Sequence, residues 1–190
     1  MSKSSFKPND KATAGLVARP GCEDNFSVGG IFTMTCFDAD GNEKWVEKGH
    51  NVFTTEGIDH VVDVVFGATA ADATLYVGLM DDGGAVVAGE TLVTIAAGSN
   101  NATEITISVT SGDRQEWVDD AAGSAAGVLG NGDSVASFAI DASDTVGGAF
   151  LTNASTGTSG KLLCGYEFTN RAVASGDTLT VDYTITAADS

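Results

Sequence analysis

Side chains that could perform catalysis or bind a metal are few and scattered in this sequence. The chain has two histidines, His50 and His60, and neither has a cysteine or carboxylate partner at a spacing known from metal sites. The sequence has no serine-nucleophile elbow, phosphate-binding loop or dinucleotide fingerprint. We therefore expect no enzyme, no catalytic residue, no metal and no cofactor. His60 falls in a predicted helix and is interpreted as a surface or capping residue.

One acidic segment has part of the spacing of a calcium loop. Asp38, Asp40 and Asn42 stand at alternate positions, as the first ligands of such a loop do. The loop also needs glycine at its sixth position and glutamate at its twelfth, where this chain has Glu43 and Gly49. A hairpin turn is the better interpretation of this segment.

The remaining polar clusters favour structural roles. In Arg114-Gln-Glu-Trp117 we expect the arginine to pair with a carboxylate and the tryptophan to fill the core. A glycosidase would need two carboxylates across a cleft, usually with aromatic platforms, and the chain has only two tryptophans. A sugar-processing enzyme is therefore the weakest hypothesis. The three cysteines, Cys22, Cys36 and Cys164, are expected to be reduced thiols, with one disulfide left open as an alternative.

Composition narrows the class of partner. The 190 residues include 26 acidic and 9 basic side chains, for a formal net charge of -17. Such a field repels phosphate groups, so we expect no nucleic-acid binding and no adsorption to an anionic membrane. The sequence has neither a stretch of roughly 20 apolar residues nor an apolar signal sequence, which predicts a soluble product made in the cytoplasm.

The elements that would position these residues are mostly strands. A helix is predicted over about 55–66, capped by Thr54 or Thr55 and ended by Gly67, and its apolar stripe should pack on a sheet. The stripe consists of Ile58, Val61, Val62, Val65 and Phe66. Alternating or β-branched runs predict the following strands: 31–37, 44–47, 74–79, 91–95, 103–109, 134–140, 161–168 and 179–186.

Turns and irregular segments complete the predicted domain. The 24 glycines indicate many tight turns, and three glycine pairs (29–30, 83–84 and 147–148) are interpreted as turns. The small, polar stretch between Val118 and Asp133 is interpreted as a flexible excursion. The predicted fold is mainly β: an antiparallel β-sandwich or jelly-roll-like domain with one short α-helix and an extended N-terminal arm.

The arm is predicted over residues 1–27 and the β-rich domain over 28–190. The arm contains both prolines and four of the nine basic residues, and its apolar residues follow no regular period. Its candidate partner-contact residues are Phe6, Leu16, Val17 and Arg19. Such an arm could add a strand to a neighbouring protein, with main-chain hydrogen bonds and apolar side chains holding it.

An ordered set of segments resembles a family of tailed-bacteriophage virion structural proteins, labelled head decoration, cement or minor structural proteins. The segments are Asn51–His60, Leu75–Leu79, Arg114–Trp117, Ser134–Ile140, Gly148–Leu151, Phe168 with Arg171–Val173, and Gly176–Ile185. The resemblance covers about residues 45–186 and departs at 80–112 and 118–133. It carries no catalytic residues.

The resemblance implies a virion component, and for such a component the acidic charge favours a position on the outer capsid surface. Its partners would be the major capsid protein and copies of itself, in a homo-oligomer such as a trimer. Many weak contacts repeated by symmetry would then stabilise the head through avidity. The alternative is a tail, connector or receptor-binding module that recognises host glycans.

Overall fold

The computed structural model describes residues 26–81, 86–98, 103–106, 109, 114–121, 123 and 125–189. Its elements run in the order β1 Phe26–Phe37, β2 Glu43–His50, β3 Val52–Phe53, α1 Thr55–Phe66, β4 Leu75–Met80, α2 Leu92–Ala96, β5 Gln115–Trp117, β6 Val128–Leu129, β7 Ala136–Ala139, β8 Asp144–Thr152, β9 Leu162–Val173 and β10 Thr178–Asp189. Since β1 begins at Phe26, the part of the chain before it, residues 1–25, is called the N-terminal segment below.

Two antiparallel sheets form a β-sandwich, as the sequence predicted. One sheet has the order β2-β1-β10-β6, with β7 also paired to β10. The other has the order β3-β9-β8-β4-β5. The larger of two apolar clusters among the described residues draws on both sheets, because strand residues alternate between core and solvent. The smaller cluster consists of Met80, Val86, Leu92, Ile95, Phe150 and Leu162.

Buried and more exposed side chains alternate along β1 and β10, as the sequence predicted for these strands. Phe32 of β1 and Tyr183 of β10 are fully buried and their rings stack with centroids 4.0 Å apart. Across the core, Phe32 also stacks on Tyr166 of β9 at 6.4 Å. The Phe32–Tyr183 contact joins neighbouring strands of one sheet, and the Phe32–Tyr166 contact links the two sheets.

The hairpin predicted at residues 38–42 is also confirmed. The Asp38 carboxylate accepts hydrogen bonds from the backbone N–H groups of Asp40, at 2.9 Å, and Asn42, at 2.8 Å. Gly41 adopts φ +83°, a conformation that glycine reaches without strain. Hydrogen bonds from Asn42 lower the pKa of the Asp38 carboxyl. The carboxylate therefore organises the turn between β1 and β2.

The predicted strand at 91–95 is wrong, because this segment forms α2. Thr91 caps the helix: its hydroxyl accepts from the Thr94 N–H at 3.3 Å, and its own N–H donates to the Thr94 hydroxyl at 2.9 Å. Leu92 and Ile95 are then both buried. Local capping has overridden the β-propensity of these residues.

The predicted strand at 103–109 is not continuous in the described part of the chain. Residues 103–106 and 109 form only isolated bridges, between Glu104 and Met80 and between Val109 and Ile140. The interpretation of 118–133 as a flexible excursion is wrong at β6, which pairs with β10. Next to it, the buried Asn131 side chain accepts from the Tyr183 N–H at 2.7 Å and donates to the Val181 carbonyl at 3.2 Å.

Two of the glycine pairs lie inside strands, so their interpretation as turns is wrong. Gly29 and Gly30 belong to β1, and Gly147 and Gly148 to β8; the pair at 83–84 lies outside the described residues. A side chain at Gly148 would meet the Tyr166 carbonyl at 2.4 Å. Close packing between strands, rather than a turn, requires this glycine.

Candidate docking surface on helix α1

Helix α1 has the predicted bounds and the predicted cap. The Thr54 hydroxyl accepts from the Gly57 N–H at 2.9 Å, and the Gly67 N–H donates to the Asp63 carbonyl at 3.0 Å. Thr54 itself is fully buried, and its hydroxyl donates to the Leu162 carbonyl of β9. The start of α1 is therefore fixed to the second sheet.

The face with which α1 meets the sheet differs from the predicted one. Gly57 is buried, and His60, Val61 and Val64, spaced three, four and seven residues after it, are half-buried. A Cβ at Gly57 would lie 2.1 Å from the Leu163 carbonyl oxygen. The missing side chain lets the backbone of α1 approach β9 closely, so this face sets the orientation of the helix.

Most of the predicted apolar stripe consequently faces away from the sandwich. The exposed fractions are 52% for Ile58, 49% for Val62, 62% for Val65 and 84% for Phe66. The expectation that the stripe packs against a sheet is wrong, since the stripe is offset by one residue from the Gly57 face. Exposed apolar residues grouped on one element are typical of a surface that binds another polypeptide.

An apolar groove adjoins this stripe. It has a volume of about 230 Å³ and is lined by residues of α1, β1 and β3, namely Val28, Phe53, Ile58, Val61 and Val62. We call the groove together with Val65 and Phe66 the α1 surface. The described side chains that line it are all apolar, so the groove suits apolar side chains better than a polar small ligand.

Carboxylates lie along one side of the α1 surface. The α1 helix contains Glu56, Asp59 and Asp63 and no lysine or arginine. Glu56 already has partners within the fold: its carboxylate pairs with Lys161 at 3.2 Å and accepts a hydrogen bond from the Leu162 N–H at 3.0 Å. Asp59 and Asp63 are exposed. An apolar segment carrying positive charge would complement this surface.

The His60 side chain is paired with Asp72. Its Nε2 atom lies 2.6 Å from Asp72 Oδ2, and the Asn153 amide donates to Asp72 Oδ1 at 2.9 Å. This pair connects α1 to the segment that follows it. The described residues contain no cluster of three or more His, Cys, Asp or Glu side chains arranged to hold a metal ion.

Arg114 has the structural role predicted for it. Its guanidinium donates to both Glu104 oxygens, at 2.6 and 2.8 Å, and to the Ala154 and Gly157 carbonyls, at 2.8 and 2.9 Å. It also lies over the Phe150 ring, 5.3 Å from the centroid. With Trp117 in the core, the cluster joins three irregular segments to the second sheet.

Two of the three cysteines are free and buried, and Cys22 lies outside the described residues. Burial raises the pKa of the Cys164 thiol to about 12, and burial with the nearby Asp177 charge raises that of Cys36 to about 11. The Cys164 thiol donates to the Tyr183 hydroxyl at 3.2 Å. Both thiols are therefore protonated at neutral pH and act as core residues.

The four residues predicted to contact a partner, Phe6, Leu16, Val17 and Arg19, all lie outside the described residues. Sequence reasoning missed the α1 surface because a regular stripe is normally the buried one. Gly57 was the available signal, since it stands in the first turn, on the face offset from the stripe.

Among the described residues, no helix has the length and apolar character needed to cross a membrane. No protein-family model matches the chain, and no curated protein matches it.

Proposed function

We propose that this chain is a non-enzymatic structural component of a tailed-phage particle, and specifically a capsid cement or decoration protein on the outer shell. The observation that carries the proposal is the α1 surface, an apolar face held outward on a rigid sandwich by the contact of Gly57 with β9. A surface of this kind binds polypeptide, which is what a cement protein must do.

The positions of the polar side chains support a structural role. Arg114, His60 and Cys164 each make contacts that join elements of the fold, as described above. Burial also keeps the Cys164 thiol protonated, which makes it a poor nucleophile.

The segments that carry the resemblance to virion proteins coincide with framework elements. They map to β3 with α1, and to β4, β5, β7, β8, β9 and β10. The two stretches that depart from the resemblance contain α2, β6 and connecting segments. A framework with variable connections is the pattern expected of a common scaffold adapted to different partners.

Charge supports a position on the outside of the shell. The net charge of -17 would be repelled by packaged nucleic acid. On the outer surface, the N-terminal segment with Phe6, Leu16, Val17 and Arg19 would extend along the major capsid protein, and copies of the chain would associate with each other.

The test is binding of the purified protein to expanded, empty shells of its phage. The full chain should co-sediment with shells, and a chain lacking residues 1–25 should bind far more weakly. Circular dichroism and urea unfolding of the truncated chain control for folding. If the full chain does not bind shells, the cement role is contradicted. If the truncated chain binds equally well, the role of the segment is contradicted.

A further inference from the structure

We infer that in the free protein the α1 surface is the binding site for the chain's own N-terminal segment, with Leu16 and Val17 in the groove. The inference concerns the isolated chain and does not depend on the proposed function. It identifies what covers the apolar side chains of α1.

The position of the groove is the first argument. Val28, which lines it, is the third residue of β1, and β1 continues directly from the N-terminal segment. The 12 residues of α1 span about 18 Å. The eight residues between Val17 and Phe26 reach up to about 26–29 Å when extended. Leu16 and Val17 can therefore reach any part of the α1 surface.

Chemical complementarity is the second argument. The groove is lined by apolar side chains, and the exposed Asp59 and Asp63 of α1 line a separate, polar pocket with Glu56 and Lys161. Leu16 and Val17 are adjacent apolar residues in a segment with four basic side chains, Lys3, Lys7, Lys11 and Arg19, and three acidic ones. This is the one stretch of the chain in which basic residues are concentrated. Apolar side chains can fill the groove while basic ones approach the carboxylates.

A second copy of the α1 surface is a poorer occupant. Packing two such faces together would place Asp59 and Asp63 of both copies close to each other, with no lysine or arginine on either helix. Each copy also carries a net charge of -17. Like charges at a contact cost several kcal/mol, so self-association through this face is disfavoured.

Covalent attachment to β1 favours binding of the chain's own N-terminal segment in the groove over binding of the segment of a neighbouring copy. A segment attached within reach of its site has an effective concentration of about mM. In dilute protein this far exceeds the concentration of neighbouring segments. Residues 1–13, including Phe6, would then continue beyond the groove, where they are available to another protein.

The test is disulfide trapping in the full-length chain. In a Cys22→Ser background, where Cys36 and Cys164 are buried, we compare Leu16→Cys/Val62→Cys with Leu16→Cys/Val46→Cys. Val46 is a matched control, being 42% exposed on β2 against 49% for Val62 on α1. Copper phenanthroline with dissolved oxygen serves as the oxidant, at micromolar protein concentration.

The expected result is an intrachain disulfide in the Val62 pair that forms roughly tenfold faster than in the Val46 pair, because a segment docked in the groove holds its thiol beside position 62 and raises the local concentration there. It is read as a faster-migrating monomer on a non-reducing gel. Equal rates in the two pairs would overturn the inference. A covalent dimer as the main product would overturn it as well, since the segment would then belong to a second copy. A parallel set with Val17→Cys replacing Leu16→Cys tests both side chains of the pair, and failure of both sets rejects the groove as the site.

Discussion

Asp177 shows how one side chain can join several elements. It lies in the turn between β9 and β10 and is 4% exposed. Its carboxylate pairs with Lys44 of β2, accepts from the Ala174 N–H at 2.8 Å, and lies 3.9 Å from the Cys36 sulfur of β1. Burial opposes the ionised form, but the hydrogen bonds from Lys44 and Ala174 outweigh it and lower the pKa of the Asp177 carboxyl.

The lowered pKa of Asp177 predicts how the stability of the fold depends on pH. A carboxyl whose pKa is lower in the folded state stabilises the fold above its unfolded pKa, here 3.8, and the contribution is lost as the pH falls through the folded value. Asp177→Asn should therefore unfold at lower urea concentration than the parent at pH 7, and the gap should narrow below about pH 4.

The measurement is urea unfolding of both proteins between pH 7 and pH 2. Asp40→Asn is the control, because its carboxylate lies on the exposed hairpin turn. A gap between Asp177→Asn and the parent that stays constant down to pH 2 would show that the charge of Asp177 does not stabilise the fold.

At the scale of elements, the sequence predicted periodic segments well and local exceptions poorly. Strands β1 and β10 and helix α1 were found because each has a long regular pattern. Helix α2 was missed because three of its five residues, Val93, Thr94 and Ile95, are β-branched, and the Thr91–Thr94 cap was not recognised as a helix start. Strand β8 was missed because its glycines resemble turn residues until the neighbouring strands are placed.

The orientation of α1 could not be predicted, for a related reason. Periodicity shows which residues share a helix face. It does not show which face meets the sheet, because that depends on how closely the helix backbone can approach the neighbouring strand. Gly57 allows a contact with Leu163 that no side chain on the stripe permits. The candidate surface therefore follows from tertiary packing, which the stripe alone does not specify.

The contact of Gly57 with Leu163 predicts that Gly57→Ala lowers the stability of the protein, although helix propensity alone predicts that it raises it. Alanine favours a helix over glycine by about 1 kcal/mol. At position 57, however, the added Cβ would lie 2.1 Å from the Leu163 carbonyl oxygen, and the helix would have to move. Gly57→Ala should lower the free energy of unfolding by about 1–3 kcal/mol, the usual cost of overpacking.

Gly29→Ala provides the control for this substitution. A Cβ at Gly29 meets nothing within 4 Å, so this variant should unfold at or slightly above the parent's urea midpoint. If Gly57→Ala is as stable as Gly29→Ala, the close approach of α1 to β9 is not what orients the helix.

At the scale of the whole molecule, the chain combines a strongly acidic sandwich with a segment that contains four of its nine basic residues. The sandwich fixes the α1 surface. In the free protein the segment is expected to bind there, and on a particle it would extend along the partner protein. Within this arrangement, binding strength would come from many copies on one particle, each making modest contacts. A tail or receptor-binding module would need only a few copies.

The number of copies per particle tests the central claim most directly. Purified virions of the phage proposed to encode the chain should be analysed by quantitative mass spectrometry against the major capsid protein. A cement protein repeated over the shell should be present at on the order of hundreds of copies per particle. A count of about a dozen or fewer, the number expected at a tail or a single vertex, would contradict the capsid cement role.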